Sequence, residues 1–62
     1  MTDETKAVLE ELAAKCDQEA NSAEKGREFY ENLGKFETGA RFDGEHNAWI
    51  QAAAMLRAKA MS

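Results

Sequence analysis

The chain is 62 residues long, and 44% of its residues are hydrophobic and 32% are charged. Eight basic and twelve acidic side chains give a formal net charge of −4. This length allows one small domain, residues 1–62, whose core buries only about 60% of the unfolded surface.

The composition excludes several classes of protein. One cysteine cannot form a disulfide within the chain, and one cysteine with one histidine cannot complete a four-ligand zinc site. An acidic chain lacks the clustered lysines and arginines of a duplex-DNA surface, and no apolar run approaches the roughly 18 residues of a membrane span. Since cross-links and metals are excluded, we expect a homo-oligomer to stabilise so small a core.

The first predicted element is an amphipathic helix that begins at Thr2 or Asp3, either of which can cap it. Apolar residues then recur with helical spacing, at Val8, Leu9, Leu12, Ala13, Cys16 and Ala20. Glu11 and Lys15 are four residues apart in the favourable order for an ion pair. We interpret Cys16 as a small buried hydrophobe on this stripe.

Residues 17–28 are polar, and their only apolar residues are alanines. Asn21 followed by Glu24 resembles a capping box, which predicts a kink or an interruption near Asn21. A continuous helix is the alternative, because Gly26 costs a helix only about 1 kcal/mol. The helical spacing resumes after this stretch, at Phe29, Tyr30, Leu33 and Phe36.

The predicted break between helices covers residues 33–44, where Gly34, Gly39 and Gly44 make the chain most flexible. Thr38 or Asp43 is expected to cap the helix that follows. In that helix the apolar residues lie on one seam in steps of four and three: Phe42, His46, Trp49, Ala53, Leu56 and Ala60. This spacing is typical of a helix that packs along its length against another helix.

The fold class is therefore all-α. The absence of proline and the many Ala, Glu, Lys and Leu residues favour helix, whereas Val, Ile and Thr are too few for a sheet. We predict an antiparallel helical hairpin with a kinked first arm that associates with itself. A three-helix mini-bundle is the alternative.

Residues able to carry catalysis are few and scattered. His46 has no nucleophile or second acid placed near it by the sequence, and the carboxylates are spread along the helices without a calcium-loop or Glu-x-x-His pattern. Phosphate-binding and nucleophile-elbow motifs are also missing from the sequence. We therefore expect no enzyme activity, no cofactor and no metal.

The aromatic residues all lie between positions 29 and 49. They either form a core around the bend or serve as interface anchors, since aromatic side chains dominate binding hot spots. The predicted contacts with a partner are Phe36, Phe42, His46 and Trp49. In an alternative interpretation Arg27, Lys35 and Arg41 bind a small anionic nucleotide.

The segment from Phe42 to Arg57, with the opening Leu9–Cys16, resembles small helical accessory proteins encoded by phages and prophages. The shared pattern is a Gly-Glu pair, an aromatic residue, paired alanines and Leu-Arg. The resemblance implies a small protein that binds a host protein, sometimes by blocking a host enzyme or defence system.

The sequence is therefore compatible with three functions. The first is a non-enzymatic protein-interaction module of the phage accessory type that sterically blocks a host protein. The second is a helical oligomer that sequesters a small anionic nucleotide, and the third is an assembly protein whose function is self-association. The unpaired cysteine, together with the lack of a signal-peptide pattern, predicts the cytoplasm, which is that of the host cell if a phage encodes the chain.

Overall fold

The computed structural model describes residues 2–62, which form two α-helices joined by a short bend. Helix α1 spans Asp3–Asn32, and helix α2 spans Phe36–Met61. The two helices pack against each other as a hairpin, which confirms the predicted all-α fold. Residues 2–62 contain no third helix, so the mini-bundle alternative is wrong.

Helix α1 begins with a side-chain cap at Thr2, one of the two predicted positions. Thr2 has an extended backbone, and its Oγ1 accepts a hydrogen bond from the Thr5 amide at 3.1 Å. Asp3 and Glu4 lie in the first turn, where negative charge favours the helix dipole. The Glu11–Lys15 ion pair is also present, with 3.8 Å between Nζ and Oε1.

The predicted interruption of α1 near Asn21 is absent. The helix runs for 30 residues through this position, and Asn21 is exposed within it. A capping box would need the Glu24 carboxylate to turn back to the Asn21 amide. Instead Glu24 contacts Arg27 and His46, so continuing the helix satisfies both the backbone and this side chain.

The bend consists of Leu33, Gly34 and Lys35. Gly34 has a φ of +77°, and its amide donates to the Glu31 carbonyl at 2.9 Å. The Lys35 amide donates to the Tyr30 carbonyl at 2.8 Å. These two hydrogen bonds and the left-handed glycine make a Schellman motif, which satisfies the last carbonyls of α1 and reverses the chain.

The predicted break was too long, because α2 begins at Phe36 and contains both Gly39 and Gly44. Neither Thr38 nor Asp43 caps it; Lys35 occupies the N-cap position without a side-chain hydrogen bond. Gly39 is buried against α1, where an added Cβ would lie 2.9 Å from Cγ of Glu31. Gly39 therefore allows close helix packing, and it does not end a helix.

The core is a seam of small residues between the helices. The buried residues of α1 recur every three or four positions, at Ala13, Cys16, Ala20 and Ala23, and those of α2 lie multiples of seven positions apart, at Gly39, Ala53 and Ala60. Among the residues described, no large side chain is fully buried. Alanines and glycine let the backbones approach closely, but they remove little apolar surface from water.

The seam predicted for α2 is present, although its members differ in burial. Ala53 and Ala60 are buried, Phe42, His46 and Leu56 are half-buried, and Trp49 remains 38% exposed. On α1, Cys16 is buried as predicted, whereas Val8 and Leu12 are exposed. The hairpin measures 48 × 13 × 9 Å. Its radius of gyration is 14.3 Å, against roughly 10.6 Å for a compact domain of this length.

Candidate functional site

One edge of the hairpin carries the charged contacts between the helices; we call it the ion-pair edge. The Arg57 guanidinium of α2 donates two hydrogen bonds to the Asp17 carboxylate of α1, one of them at 3.3 Å between Nη1 and Oδ1. Further along, Nε of Arg27 lies 3.9 Å from Oδ1 of Asp43. These pairs align the two helices along this edge.

The ion pairs shift the pKa values of their members. The hydrogen bond from Arg57 lowers the pKa of Asp17, and the same contact raises the pKa of Arg57. The pKa of Arg27 is raised by its hydrogen bond to Glu24, and then by the negative charges of Glu24, Glu31 and Asp43. All these groups are solvent-accessible, so the pairs orient the helices more than they stabilise them.

His46 lies on the same edge and links the two helices. Its Nδ1 is 2.8 Å from the Ala20 carbonyl oxygen, which can only accept, so Nδ1 donates. Its Nε2 is 3.4 Å from Oε2 of Glu24. Both ring nitrogens therefore face oxygens of the hairpin itself.

Aromatic side chains gather near the closed end of the hairpin. The Tyr30 ring stacks on Phe42 with 5.5 Å between centroids, and Phe29 meets the Tyr30 ring edge-on at 5.2 Å. The Phe42 ring also lies on Gly26, since an added Cβ there would be 2.8 Å from Cδ1 of the ring. These contacts place much of Phe42 between the helices.

Three large apolar side chains at this closed end remain exposed; we call Phe29, Leu33 and Phe36 the closed-end residues. Phe29 and Leu33 are one helical turn apart, and Phe36 is the first residue of α2 and is 69% exposed. Beside them, Gly34, Lys35, Phe36, Glu37 and Thr38 line a shallow, open depression. The Schellman hydrogen bonds of Gly34 and Lys35 join this end to the last turn of α1.

The edge opposite the ion pairs is apolar near the open end of the hairpin. At 3.6 residues per turn, Leu12 lies about 140° from Asp17 around α1, with the buried Cys16 and Ala13 between them. On α2, Ala52 likewise lies about 140° from Arg57, with Leu56 and Ala53 between them.

Asp17 and Arg57 bond to each other, so Leu12 and Ala52 share the opposite edge. Val8 lies one turn before Leu12, and Trp49 one turn before Ala52. Around α2, Trp49 lies between these two sides, about 60° from Ala52 and about 80° from Arg57, so it is slightly nearer to the apolar side. We call Val8, Leu12, Trp49, Ala52 and Leu56 the apolar face.

The predicted partner-binding residues are therefore distributed over different parts of the molecule. Phe36 is at the closed end and Trp49 is on the apolar face, both with exposed ring surface. Phe42 and His46 lie half-buried between the helices, where they contact Gly26, Tyr30 and Ala20. The fold already uses these two side chains for its own contacts.

The predicted anion-binding residues also differ in their surroundings. Arg27 is surrounded by the carboxylates of Glu24, Glu31 and Asp43. Lys35 forms the bend, and Arg41 lies on the opposite side of α2 from the ion-pair edge, about 160° from Asp43.

Sequence reasoning missed two exposed surfaces. Val8 and Leu12 were assigned to the buried stripe of α1, yet only the alanines and Cys16 of that stripe are buried. The width of the stripe on α1 could have indicated this exposure, because the alanine seam of α2 is too narrow to cover the whole stripe. Leu33 was treated as helical spacing alone, and Phe29 was grouped with the aromatic residues around the bend but was not among the predicted contacts.

Within residues 2–62, the His, Cys, Asp and Glu side chains form no group of three placed to hold a metal ion. Neither helix of this described part has a stretch apolar enough to cross a bilayer.

Compared with protein-family models, curated proteins and solved structures, the chain matches none of them. The resemblance to phage accessory proteins stays a prediction.

Proposed function

We propose that this chain is a non-enzymatic protein-interaction module that binds a protein of its host cell and blocks that protein's working surface. The mechanism is steric: a rigid helical wedge inserts apolar side chains from its closed end into a cleft of the partner. A phage-type accessory protein would act in this way on a host enzyme or defence system.

The observation that carries the proposal is the exposure of large apolar side chains at a rigid turn. Phe29, Leu33 and Phe36 contribute little to the seam between the helices and remain exposed to solvent. A few anchor residues supply most of the binding energy of an interface, and aromatic side chains are enriched in interfaces. The Schellman bend holds the turn rigid before a partner arrives, which lowers the entropy cost of binding.

The charge of the chain supports one kind of partner. The formal net charge is −4, and the charged residues beside the closed end are the acidic Glu28, Glu31 and Glu37 with one lysine, Lys35. A cleft with an apolar floor and a basic rim would match this end, and opposite charges would speed association.

The four residues predicted to contact a partner do not all have surface available for one. Of the four predicted contacts, Phe36 belongs to the closed end and Trp49 to the apolar face, whereas Phe42 and His46 act by holding α2 against α1. The nucleotide alternative is less well supported, because the Arg27 guanidinium is engaged by three carboxylates of the same chain. A nucleotide phosphate would have to displace them.

The test is affinity capture from the lysate of the host, with three baits compared by quantitative mass spectrometry. The baits are the unmodified chain, Phe36→Ser and Ile50→Ser. Ile50 is also a large exposed apolar residue on α2, but it lies on the side of the ion-pair edge, about 20° from Arg57 around the helix, so it controls for lost hydrophobicity. Circular dichroism checks that all three baits stay helical.

We expect one protein to be retained by the unmodified chain and by Ile50→Ser, and to be lost at least tenfold with Phe36→Ser. The purified chain should then inhibit that protein at stoichiometric ratio. Capture of no protein, or equal capture by all three baits, would contradict the proposal. A further bait, Trp49→Ala, tests the apolar face, and loss of the captured protein with this bait alone would move the contact there.

A further inference from the structure

The described hairpin exposes more surface than a folded chain of its mass. Its accessible surface is 4670 Å², and a monomer of 6.9 kDa is expected to expose roughly 4,000 Å². The excess is close to the roughly 800 Å² that each partner buries in a standard protein–protein interface. A layer one helix thick accounts for this excess, because both of its faces are open to solvent.

Large apolar residues outside the closed end are exposed on several sides of the hairpin, Ile50, Met55 and Met61 among them, but one group adjoins the core. Val8, Leu12 and Leu56 lie opposite the ion-pair edge, with Trp49 leaning towards the same side. Leu56 and Ala52 pack on the buried cluster of Ala13, Cys16 and Ala53, so the apolar face is the exposed side of the core itself. Covering this face would complete the core with large side chains.

We propose that a second copy of this chain covers the apolar face, and that two hairpins form a four-helix bundle. The ion-pair edges of both copies then lie on the outside of the bundle. Two-helix layers that stack in this way are the ordinary construction of such bundles. Burying the same face on both copies also gives a closed two-fold dimer.

The charges of the face favour a second copy over a charged foreign partner. By helical spacing four charged residues lie beside it, Lys15 (which also pairs with Glu11) and Glu19 on α1, and Glu45 and Lys59 on α2. These four charges cancel, although the whole chain has a net charge of −4. Two acidic molecules can meet at this surface without net repulsion, whereas a basic partner would be drawn to the acidic remainder.

The test is sedimentation equilibrium at micromolar concentration, with Leu12→Lys compared with Ile50→Lys. The two residues are matched, since Leu12 is 42% exposed and Ile50 is 46% exposed, but Ile50 lies on the ion-pair edge. We expect the unmodified chain and Ile50→Lys to have twice the mass of 6.9 kDa. Leu12→Lys should weaken dimerisation at least tenfold.

If Leu12→Lys loses its helical circular dichroism, Val8→Lys replaces it; more than half of Val8 is exposed, so we expect this variant to stay folded. The melting temperature of the unmodified chain should also rise with concentration, and that of Val8→Lys should not. A monomeric unmodified chain would overturn the proposal. So would dimers that survive Val8→Lys, or dimers that dissociate equally with Ile50→Lys.

Discussion

The Phe42 ring lies directly on Gly26, so close that a Cβ at position 26 would be 2.8 Å from both Cδ1 and Cε1 of the ring. The missing side chain of this glycine, in α1, therefore leaves the space that an aromatic side chain of α2 fills. The same ring stacks on Tyr30, which limits its freedom to move away. A residue that weakens α1 locally is thus required for the helices to pack.

This relationship predicts opposite effects for two alanine substitutions. Gly44→Ala should stabilise the chain by about 0.5–1 kcal/mol, because alanine is the better helix former and nothing lies within 4 Å of its added Cβ. Gly26→Ala should instead destabilise it by about 1 kcal/mol, since overpacking costs more than the helix propensity returns. Urea unfolding measures both, and equal stabilisation by the two substitutions would contradict the packing.

The bend depends on the left-handed backbone of Gly34. Its φ is +77°, so Gly34→Ala should cost about 1–2 kcal/mol through strain alone. Gly34→Asn should cost less, because asparagine adopts this conformation more readily. Thermal unfolding should give a higher melting temperature for Gly34→Asn than for Gly34→Ala. The reverse order would mean that the left-handed backbone of Gly34 does not determine the stability of the bend.

The alanine seam should be intolerant of larger side chains on one side of α2 only. Ala53 is 1% exposed against Ala13, and Ala53→Leu should destabilise the chain by about 1–3 kcal/mol through overpacking. Ala54, the next residue, is exposed, and Ala54→Leu should change stability by less than about 0.5 kcal/mol. Similar effects at the two positions would mean that Ala53 does not face α1 while Ala54 faces solvent.

The Asp17–Arg57 pair should make stability depend on acid pH. The pKa of Asp17 is lowered in the folded chain from its ordinary value of 3.8, so the pair stabilises the fold above that pH. This contribution is lost as the pH falls through the lowered pKa, where the carboxyl group becomes neutral like an amide.

Asp17→Asn should therefore be less stable than the unmodified chain near neutral pH and equally stable well below pH 3.8. Urea unfolding at the two pH values measures the difference. Glu11→Gln is the control, because Glu11 pairs with Lys15 within α1 and joins no second helix. A difference between Asp17→Asn and the unmodified chain that persists in acid would assign another role to Asp17.

Local sequence signals predicted the elements whose stabilising contacts are local. The cap at Thr2 and the Glu11–Lys15 pair need partners only three or four residues away, and both are present. The spacing of the apolar residues likewise predicted the seams on both helices. The misreadings concern Asn21, Gly39 and Gly44, whose roles depend on residues of the other helix or on empty space beside them.

The candidate surfaces were predicted less completely than the fold. Phe36 and Trp49 were identified from residue type, and both retain exposed ring surface. The sequence could not separate them from Phe42 and His46, because the burial of an aromatic residue depends on what the opposite helix presents. Here Gly26 leaves room for the Phe42 ring, and the Ala20 carbonyl accepts a hydrogen bond from His46, so both side chains lie between the helices.

The amino-acid sequence alone determined that this chain is all-α, because helix propensity, capping and the three-and-four spacing of apolar residues act over a few residues. Only the tertiary structure decided which glycine makes the turn and which side chains the seam covers. Those outcomes depend on the register of α2 against α1. That register places Phe42 on Gly26 and Arg57 on Asp17, and leaves Val8, Leu12 and Phe36 exposed.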